Sequence, residues 1–420
     1  VRKGDYKRDQ RAGTVRVAGA AQQPDGKAVY LDNFGPMTRL TRGTQLKIQD
    51  MQNLYAQSDY SGKFEAWGVK HAVLAGVDYA QEKRQVYSAL TAAQGGVNLT
   101  KPNTSVGTPN DGAWIDEGSR VLRVGNEYVS KGWGVYGQDL VQVAPDWKIL
   151  GGLRYDSMTG DYDTFNAATG AVTGSYRMKV SEWSKRFGVL YQPSPLHSFH
   201  FSYGTSFNTS GEAYSLGAAN VNTPPESSEN LELGARIESA DKKFTSRVAL
   251  FKSTKKHERN TDPLLPGITV LSGKRHVAGI DADIAGYITP QWEVFGSYMW
   301  MPTAKIDIGA QGAEGQGARP SLTPKHSGTV WSTYRITPQI RVGAGLNFRS
   351  SQTPIRNPGW SVPSYVTGDL MAEYAIDVDR IILKANISNV SNKLYADALY
   401  SGHYIPGAGR LFQVSAKFKF

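Results

Sequence analysis

Apolar and polar side chains alternate at every second residue in many segments of this chain. In 197–207 the odd positions are mainly aromatic, and the even positions are serine, histidine or glycine. Similar alternation occurs in 231–237, 340–348 and 381–387, and it is weaker in 133–144. Because successive side chains of a strand point to opposite faces of a sheet, the pattern predicts long strands with one apolar face and one polar face. Helical periodicity of useful length is almost absent.

Short turns and long polar segments follow one another along the sequence. Six tight-turn signals, each containing proline or aspartate, can reverse the chain within a few residues, and they recur about every 48 residues, with a last interval of about 40. These turns lie at 144–146, 193–195, 240–242, 289–291, 337–339 and 377–379. The longer segments, rich in Gly, Ser, Asn and Pro, lie at 88–126, 160–179, 209–228, 256–272, 304–324, 352–362 and 391–408.

This rhythm is typical of barrels that span an outer membrane, in which short turns face the periplasm and long loops face outside. A β-propeller also repeats every 40–50 residues, but its blades need four strands and each repeat here holds two. The sequence therefore predicts an all-β, transmembrane antiparallel barrel with about 16 strands. The predicted strands are 4–17, 44–59, 70–87, 127–144, 147–159, 180–192, 196–208, 229–239, 243–255, 273–288, 291–303, 325–336, 340–351, 363–376, 380–390 and 409–420.

The composition agrees with a membrane barrel. The 420 residues include no apolar run of 18 or more, and the hydrophobic content of 40% suits strands that turn only every second side chain towards lipid. The absence of cysteine excludes a disulfide scaffold, thiolate zinc sites and thiol catalysis. A net charge of +10 is compatible with a solvated surface, an anionic ligand or anionic lipid. No helix-turn-helix, RNP or zinc-finger pattern occurs, so nucleic acid is not a predicted partner.

Two aromatic features support the membrane assignment. The last strand, Leu411 to Phe420, places Phe412, Val414 and Phe418 on one face and lysines on the other, and it ends on an aromatic residue. Such an ending resembles the C-terminal signal that the outer-membrane barrel-assembly machinery reads. Aromatic residues also cluster near predicted strand ends, as interfacial girdles do. These are Trp147, Trp183, Tyr191, Tyr287, Trp292, Tyr298, Trp300, Trp331 and Tyr334.

Several motifs together resemble the TonB-dependent siderophore receptor family. Two of them, Tyr-x-Gln-Asp ending at Asp139 and Gly-Leu-Arg-Tyr-Asp ending at Asp156, mark one hairpin in such receptors, and a Pro-Glu-Ser-Ser-Glu-Asn-Leu-Glu-Leu-Gly element ending at Gly234 opens a later strand. The order and spacing match from about residue 44 to the end. Segments 255–263 and 94–104 are similar to parts of the catecholate siderophore receptor subgroup. The other matching segments are 71–79 and 386–395.

The resemblance implies an outer-membrane receptor that takes up a ferric siderophore by TonB-dependent transport. Family members carry an N-terminal plug with a TonB-contacting box and a barrel of about 22 strands. Residues 1–420 are therefore expected to form one partial barrel, without the plug, the box or the first strands. The expected location is the outer membrane of a Gram-negative bacterium, spanned many times by a monomer in contact with lipid and lipopolysaccharide. In the intact receptor the TonB complex would be a further partner.

No catalytic constellation is present, so the chain is not expected to be an enzyme or to hold a cofactor or a directly ligated metal. The resemblance implies that iron arrives already chelated. A ferric catecholate is a polyanion with aromatic rings, and its recognition needs cations and aromatic side chains. Candidates in the long loops, each weighed against an ordinary solvated role, are Trp114, Lys256, Arg259, Arg319, Arg356, Trp360, Tyr400, His403 and Tyr404.

Polar residues on the strands have a different expected role, because they would line the aqueous interior and pack against a plug. They are Arg154, Asp156, Arg186, Glu232, Arg236, Arg341 and Lys384. A passive, porin-like channel of about 16 strands is the alternative function, and a barrel enzyme or adhesin is a third. A plug and a box encoded upstream of Val1 would favour the receptor, whereas a translation start close to Val1 would favour the channel.

Overall fold

Antiparallel strands make up nearly all of the regular structure in the computed structural model. The structure describes the whole chain except 210–220, 222–223, 262–268, 310–314, 355–359, 379, 401–402 and 419–420. The sixteen long strands of the main sheet are β1 (Arg2–Val17), β2 (Arg39–Ala66), β3 (Val69–Ala89), β5 (Leu122–Ala144), β6 (Trp147–Phe165), β7 (Val172–Ser194), β8 (His197–Asn208), β9 (Glu226–Glu238), β10 (Phe244–Thr261), β11 (Thr269–Thr289), β12 (Trp292–Ile308), β13 (His326–Arg335), β14 (Ile340–Arg349), β15 (Tyr365–Asp377), β16 (Ile381–Ser388) and β19 (Leu411–Phe418).

Each long strand pairs antiparallel with the next one along the chain, so that the sheet is a simple meander. The strands β1 and β19 stand at the two ends of this order. A short strand, β4 (Thr104–Ser105), adds to the start of β2, and β17 (Ala396–Tyr400) and β18 (His403–Pro406) form a separate hairpin. Each of the sixteen predicted strands overlaps one strand of the main sheet. None of the helices in the described residues is long and apolar enough to cross a membrane.

The register assigns the two faces of the sheet. Val135, Tyr155 and Trp183 lie side by side on β5, β6 and β7, whereas the neighbouring rung, one residue along each strand, carries Asp156 and Glu182. The apolar face is open in the isolated chain, as in Trp183, which is 57% exposed. Apolar side chains on an open face and polar ones on the opposite face are the arrangement of a membrane barrel, with lipid outside and water inside. We call these the outer face and the inner face.

The six predicted turns all coincide with short connections between strands, the last of them lying partly outside the described residues. A seventh tight turn, at Trp67 and Gly68, joins β2 to β3, and both residues have positive φ, 51° and 77°. The sequence signal there is a single glycine, which is a weak turn signal by itself. All seven connections lie at one end of the strands, and the long loops lie at the other.

Two predicted loops are wrong, because the strands continue further than expected. Most of 160–179 belongs to β6 and β7, which leave only 166–171 as a connection. Much of 256–272 likewise belongs to β10 and β11. On the outer face these extensions carry polar side chains such as Asp161, Arg177 and Lys256, so they lack the apolar outer face that marks a membrane crossing. Backbone pairing with a neighbouring strand maintains them without that pattern.

Two aromatic belts on the outer face mark the depth of the apolar band. At the turn end Trp147 stacks on Tyr191, with ring centroids 4.5 Å apart. Eight positions higher on β6, Tyr155 contacts Trp133 and Trp183 at 5.4 Å and 5.0 Å. Eight residues span about 27 Å along a strand, or about 20 Å across a membrane at a tilt of about 40°. This height is close to the apolar band of outer-membrane barrels, about 25 Å.

The predicted girdle residue Trp331 lies elsewhere. Trp331 sits on the inner face, where its ring covers Gly343 and Gly345 on β14. A glycine leaves room for the flat ring against the backbone of the neighbouring strand, so the aromatic side chain fills the inner surface instead of reaching lipid. The occurrence of a tryptophan at position 331 therefore reflects the β-propensity of aromatic residues and not a position at the membrane interface.

Candidate ligand-binding site

An ion cluster on the inner face brings two of the sequence motifs together. Arg154 on β6 donates to both carboxylate oxygens of Asp78 on β3, at 2.7 Å and 3.1 Å, and also to Asp156 at 2.6–2.9 Å. Strand β5 runs between β3 and β6, and Gly134 is its residue opposite both Asp78 and Asp156. A side chain at that position would occupy the space of the Arg154 guanidinium. The glycine is what allows the arginine to bridge two strands.

Tyr136 extends this cluster along the inner face. Its ring lies 5.1 Å below the Arg154 guanidinium carbon, which is within cation–π range. Its hydroxyl donates to Asp59 and accepts from Gln57 at 2.8 Å. A cavity of about 500 Å³ opens beside these groups and reaches Arg186. Two of the polar strand residues expected to line an aqueous interior, Arg154 and Asp156, thus belong to a bonded network on the inner face.

An aromatic cluster lies on the same face nearer the loops. Tyr128, Tyr162, Met178 and Val180 are 3–7% exposed, and Tyr176 packs against them. The sequence analysis missed this cluster, because it placed most of 160–179 in a loop and so did not look for alternation there. Once the strands are extended, the even positions on β5, β6 and β7 provide the signal.

A cation stands beside the aromatic cluster. Arg84 on β3 lies on the inner face and donates to the Gln49 amide oxygen at 2.9 Å and 3.1 Å. It lies opposite Tyr128 in the register of β3 and β5. A guanidinium binds anionic, aromatic groups, whereas the Tyr128 ring beside it is only 3% exposed and packs within the protein. The sequence analysis did not single out this arginine.

Three of the predicted ligand residues are open to solvent in loops or in a loop hairpin. Trp114 is 81% exposed, Trp360 is 71% exposed and Tyr404, on β18, is 53% exposed. Tyr400 and His403 lie opposite one another in the β17–β18 hairpin, but their side chains fall outside the described part of the structure. The predicted loop 391–408 therefore contains two short strands.

Two further predicted residues also fall beyond what the structure describes. Arg356 lies in the undescribed segment 355–359. Arg259 lies on strand β10, opposite Leu271, instead of in a loop, and its side chain is not described.

The remaining two predicted cations are engaged within the protein. Arg319 donates to the backbone carbonyls of Met301 at 2.9 Å and Pro302 at 3.1 Å, and it thereby holds its loop against β12. Lys256 is on strand β10, not in a loop, and its Nζ lies 2.5 Å from a carboxylate oxygen of Glu229. Its position in the register puts it on the same face as Leu250, which is the outer face. A ligand in the interior would have to displace the bonds of Arg319 and would not meet Lys256.

The segment 90–121, which contains Trp114, is fastened to β2 by an ion pair with Arg42 and by the hydrogen bond that the Thr44 hydroxyl donates to Glu117. Arg42 on β2 forms a two-pronged bond with Asp111, at 2.8 Å and 2.9 Å, and this bond lowers the pKa of the Asp111 carboxyl. The Arg120 guanidinium, 2.5 Å from Glu117, lowers the pKa of Glu117 to about 2, and Thr44 and Lys101 add to the effect. These bonds hold a long connection in one place above β2.

Among the described residues no group of three or more His, Asp or Glu side chains could hold a metal ion. The meander of long strands, the apolar outer face with two aromatic belts and the polar inner wall define an outer-membrane β-barrel protein. The family model described as "TonB dependent receptor-like, beta-barrel" matches residues 3–390. The chain belongs to this family, and the predicted fold class is confirmed.

The chain is similar to a probable TonB-dependent receptor, BfrD, of Bordetella pertussis, with 28% identity over 68% of this chain and 40% of that protein. It is 26% identical to a probable TonB-dependent siderophore receptor, PiuA, of Acinetobacter baumannii, over 89% of this chain and 53% of PiuA. The crystal structure of the ferric-catecholate import receptor Fiu of Escherichia coli K12, in its closed form, superimposes with a TM-score of 0.82 at 21% identity, over 100% of this chain and 61% of Fiu. The chain thus spans about half the length of the relatives it matches.

Proposed function

We propose that this chain forms the barrel of an outer-membrane receptor that takes up a ferric siderophore of the catecholate type by TonB-dependent transport. The observation that carries the proposal is the family match over residues 3–390, together with relatives that are named siderophore receptors. A catecholate ligand is favoured because Fiu, whose fold this chain shares, is named a ferric-catecholate import receptor.

The chemistry of the inner face supports an anionic aromatic ligand. Arg84 is a cation on the inner face, and the exposed rings of Trp360 and Tyr404 belong to connections at the loop end of the strands. Cations combined with aromatic surfaces bind a negatively charged ring system better than either group alone. In this proposal iron is the cargo and enters already chelated, so the chain needs no cofactor and performs no catalysis.

The proposed setting is the outer membrane of a Gram-negative bacterium, crossed many times by a monomer. Residues 1–420 act as one barrel unit, while the plug and the TonB-contacting box belong to the intact receptor. Lipid and lipopolysaccharide surround the outer face, and the C-terminal strand serves the barrel-assembly machinery during insertion.

Growth under iron limitation tests the proposal. A strain lacking the full-length gene is grown with single siderophores as the iron source, and it should lose growth on one or more ferric catecholates and keep growth on hydroxamates. The full-length gene should restore growth, and the Arg84→Gln variant should restore it less well. Arg177→Gln, which removes an exposed arginine paired with Asp161, is the matched control and should restore it fully. If the strain lacking the gene took up every ferric catecholate as well as the parent strain does, the assignment would be wrong.

A TonB-deficient strain separates the receptor from a passive channel. The receptor requires TonB, so ferric-catecholate uptake through this protein should disappear without it. Uptake that persists at the same rate in the TonB-deficient strain would instead indicate diffusion through a pore.

A further inference from the structure

The long connection 389–410, between β16 and β19, is tied together at its base by one asparagine. Asn389 is 4% exposed, and its φ of 49° lies in the left-handed region, which asparagine adopts more readily than most residues. Its side-chain amide donates to the backbone carbonyls of Lys393 and Ala408, at 2.9 Å each. Its side-chain oxygen accepts from the Lys393 backbone N–H at 2.8 Å. One side chain therefore joins the outgoing and the returning arm of the connection.

The same asparagine is bonded to the inner face of the sheet. Its backbone N–H donates to one carboxylate oxygen of Asp369 on β15, at 2.8 Å. The other carboxylate oxygen accepts from the Asn347 side-chain amide on β14, at 3.0 Å. The Asn347 side-chain oxygen in turn accepts from the Thr329 hydroxyl on β13, at 2.8 Å. A line of hydrogen bonds thus crosses three strands and ends at the base of the connection.

The hairpin β17–β18 within this connection has little support of its own. Its strands are five and four residues long, and in the described part of the chain they pair with each other alone. A two-stranded hairpin of this size is marginally stable in water. Besides Asn389, the Tyr395 ring supports it, because this ring covers Gly407 and packs on Tyr365 of β15 with ring centroids 4.5 Å apart. The position of Tyr404, which is exposed on β18, therefore depends on contacts at the base of the connection.

We infer that Asn389 is a positioning residue for ligand binding: it anchors the connection 389–410 to Asp369 and thereby holds Tyr404 where a ligand at the loop end meets its ring. Asn389 is buried and its side-chain atoms are bonded within the connection, so it acts through Tyr404 and not by touching the ligand. The role in binding rests on the proposed function. The anchoring of the hairpin does not, and it can be measured without a ligand.

Spin-label mobility in the full-length receptor tests the anchor, with the label attached on β18 through Ile405→Cys. Asn389→Gly keeps the left-handed backbone accessible but removes the three side-chain hydrogen bonds, so the label should become mobile. Asn392→Gly is the matched control, because Asn392 also has a positive φ, 51°, but is exposed and accepts from the Arg410 backbone N–H at 2.9 Å. The label should stay immobile in the control. Equal mobility in the two variants, or a label already mobile in the parent receptor, would overturn the anchor.

A double-mutant cycle tests whether Asn389 acts through Tyr404, with the ferric tris(catecholate) complex as the titrated probe. Asn389→Gly should weaken binding by about fivefold, the contribution expected of one aromatic contact. Adding Tyr404→Ala should cause no further loss, because both changes remove the same contact, whereas adding Trp360→Ala should multiply the losses to about 25-fold.

Unchanged affinity in Asn389→Gly, or losses that multiply with Tyr404→Ala, would overturn the positioning role. A parent receptor that does not bind the probe would contradict the proposed function and the positioning role together, whereas the anchor is decided by the spin label alone. The two failures are therefore distinguishable.

Discussion

Arg154 and Asp78 form a two-pronged ion pair across an intervening strand, with N–O distances of 2.7 Å and 3.1 Å. The two residues belong to separate sequence motifs, 76 positions apart. They meet because Gly134 has no side chain between them. The pair links β3, β5 and β6 on the inner wall, and it has consequences for stability that can be measured.

Replacing Arg154 should destabilise the folded barrel. Arg154→Gln leaves Asp78 and Asp156 facing one another without a cation, and we expect the free energy of unfolding to fall by about 1–2 kcal/mol after allowance for solvent screening. Urea titration in lipid, followed by heat-modifiable gel mobility, measures the change. Arg177→Gln is the control, because its pair with Asp161 is exposed, and its effect should be below about 0.5 kcal/mol. Equal shifts in the two variants would contradict the structural role of Arg154.

Gly134 should contribute to the stability of the barrel by leaving space for the Arg154 side chain. In Gly134→Val the new side chain takes the space of the guanidinium, so we expect a loss of stability similar to that of Arg154→Gln. Because both changes remove the same bonds, the double variant should be clearly less destabilised than the sum of the single variants. Gly137→Val, on the open outer face, is the matched control. Strict additivity in the double-mutant cycle would show that Gly134 matters for another reason.

Segment 90–121 should become more mobile at acidic pH. Hydrogen bonding to Arg120 lowers the pKa of Glu117 to about 2, below its ordinary value near 4.5. A depressed carboxyl pKa stabilises the folded loop above the ordinary value, and this stabilisation is lost as the pH falls through the folded value. The segment should therefore stay fixed at neutral pH and loosen between about pH 4.5 and pH 2.

A spin label reports this transition cleanly, since the chain has no cysteine of its own. Asn110→Cys places the label within the segment, and its mobility is followed by electron paramagnetic resonance. In Glu117→Gln the label should be mobile already at neutral pH, with a flat pH profile. A label that remains immobile in this variant would mean that Arg42 and Asp111 suffice to hold the segment.

The exposed loop aromatics should contribute to ligand affinity. Trp360→Ala and Tyr404→Ala are each expected to weaken ferric-catecholate binding by about fivefold, the contribution of an aromatic contact of about 1 kcal/mol. Titration of the full-length receptor by intrinsic fluorescence measures the affinity. Trp67→Ala is the matched control, because Trp67 is 92% exposed but lies at a turn on the opposite end of the strands. A change as large in the control would point to a general effect on folding.

The sequence predicted the strands more accurately than their lengths. In 197–207 alternation alone placed β8 almost completely, since a membrane barrel repeats one apolar and one polar side chain. In 133–144 alternation was weak for a reason that the structure supplies. The outer face of β5 carries Gly137, which has no side chain, and Asp139, which bonds to His71. Neither residue looks apolar, although both lie within the apolar band.

The candidate site was less predictable than the fold. Trp360 and Tyr404 are exposed, as expected for loop residues, whereas Arg319 is bound to backbone carbonyls and Lys256 lies on the outer face. Arg84 was missed because nothing local distinguishes it from other arginines on a strand. Its relevance depends on Tyr128, which lies 44 positions away and becomes its neighbour only through the pairing of β3 with β5.

The sequence by itself determined the class of fold, the two faces of the sheet and the end at which the chain turns, because these follow from a period of two residues and from local turn chemistry. Only the tertiary structure decided which charges meet, which glycines are covered by a neighbouring side chain and which are open. Those relationships depend on strand register, and register joins residues from distant parts of the chain that no local pattern connects.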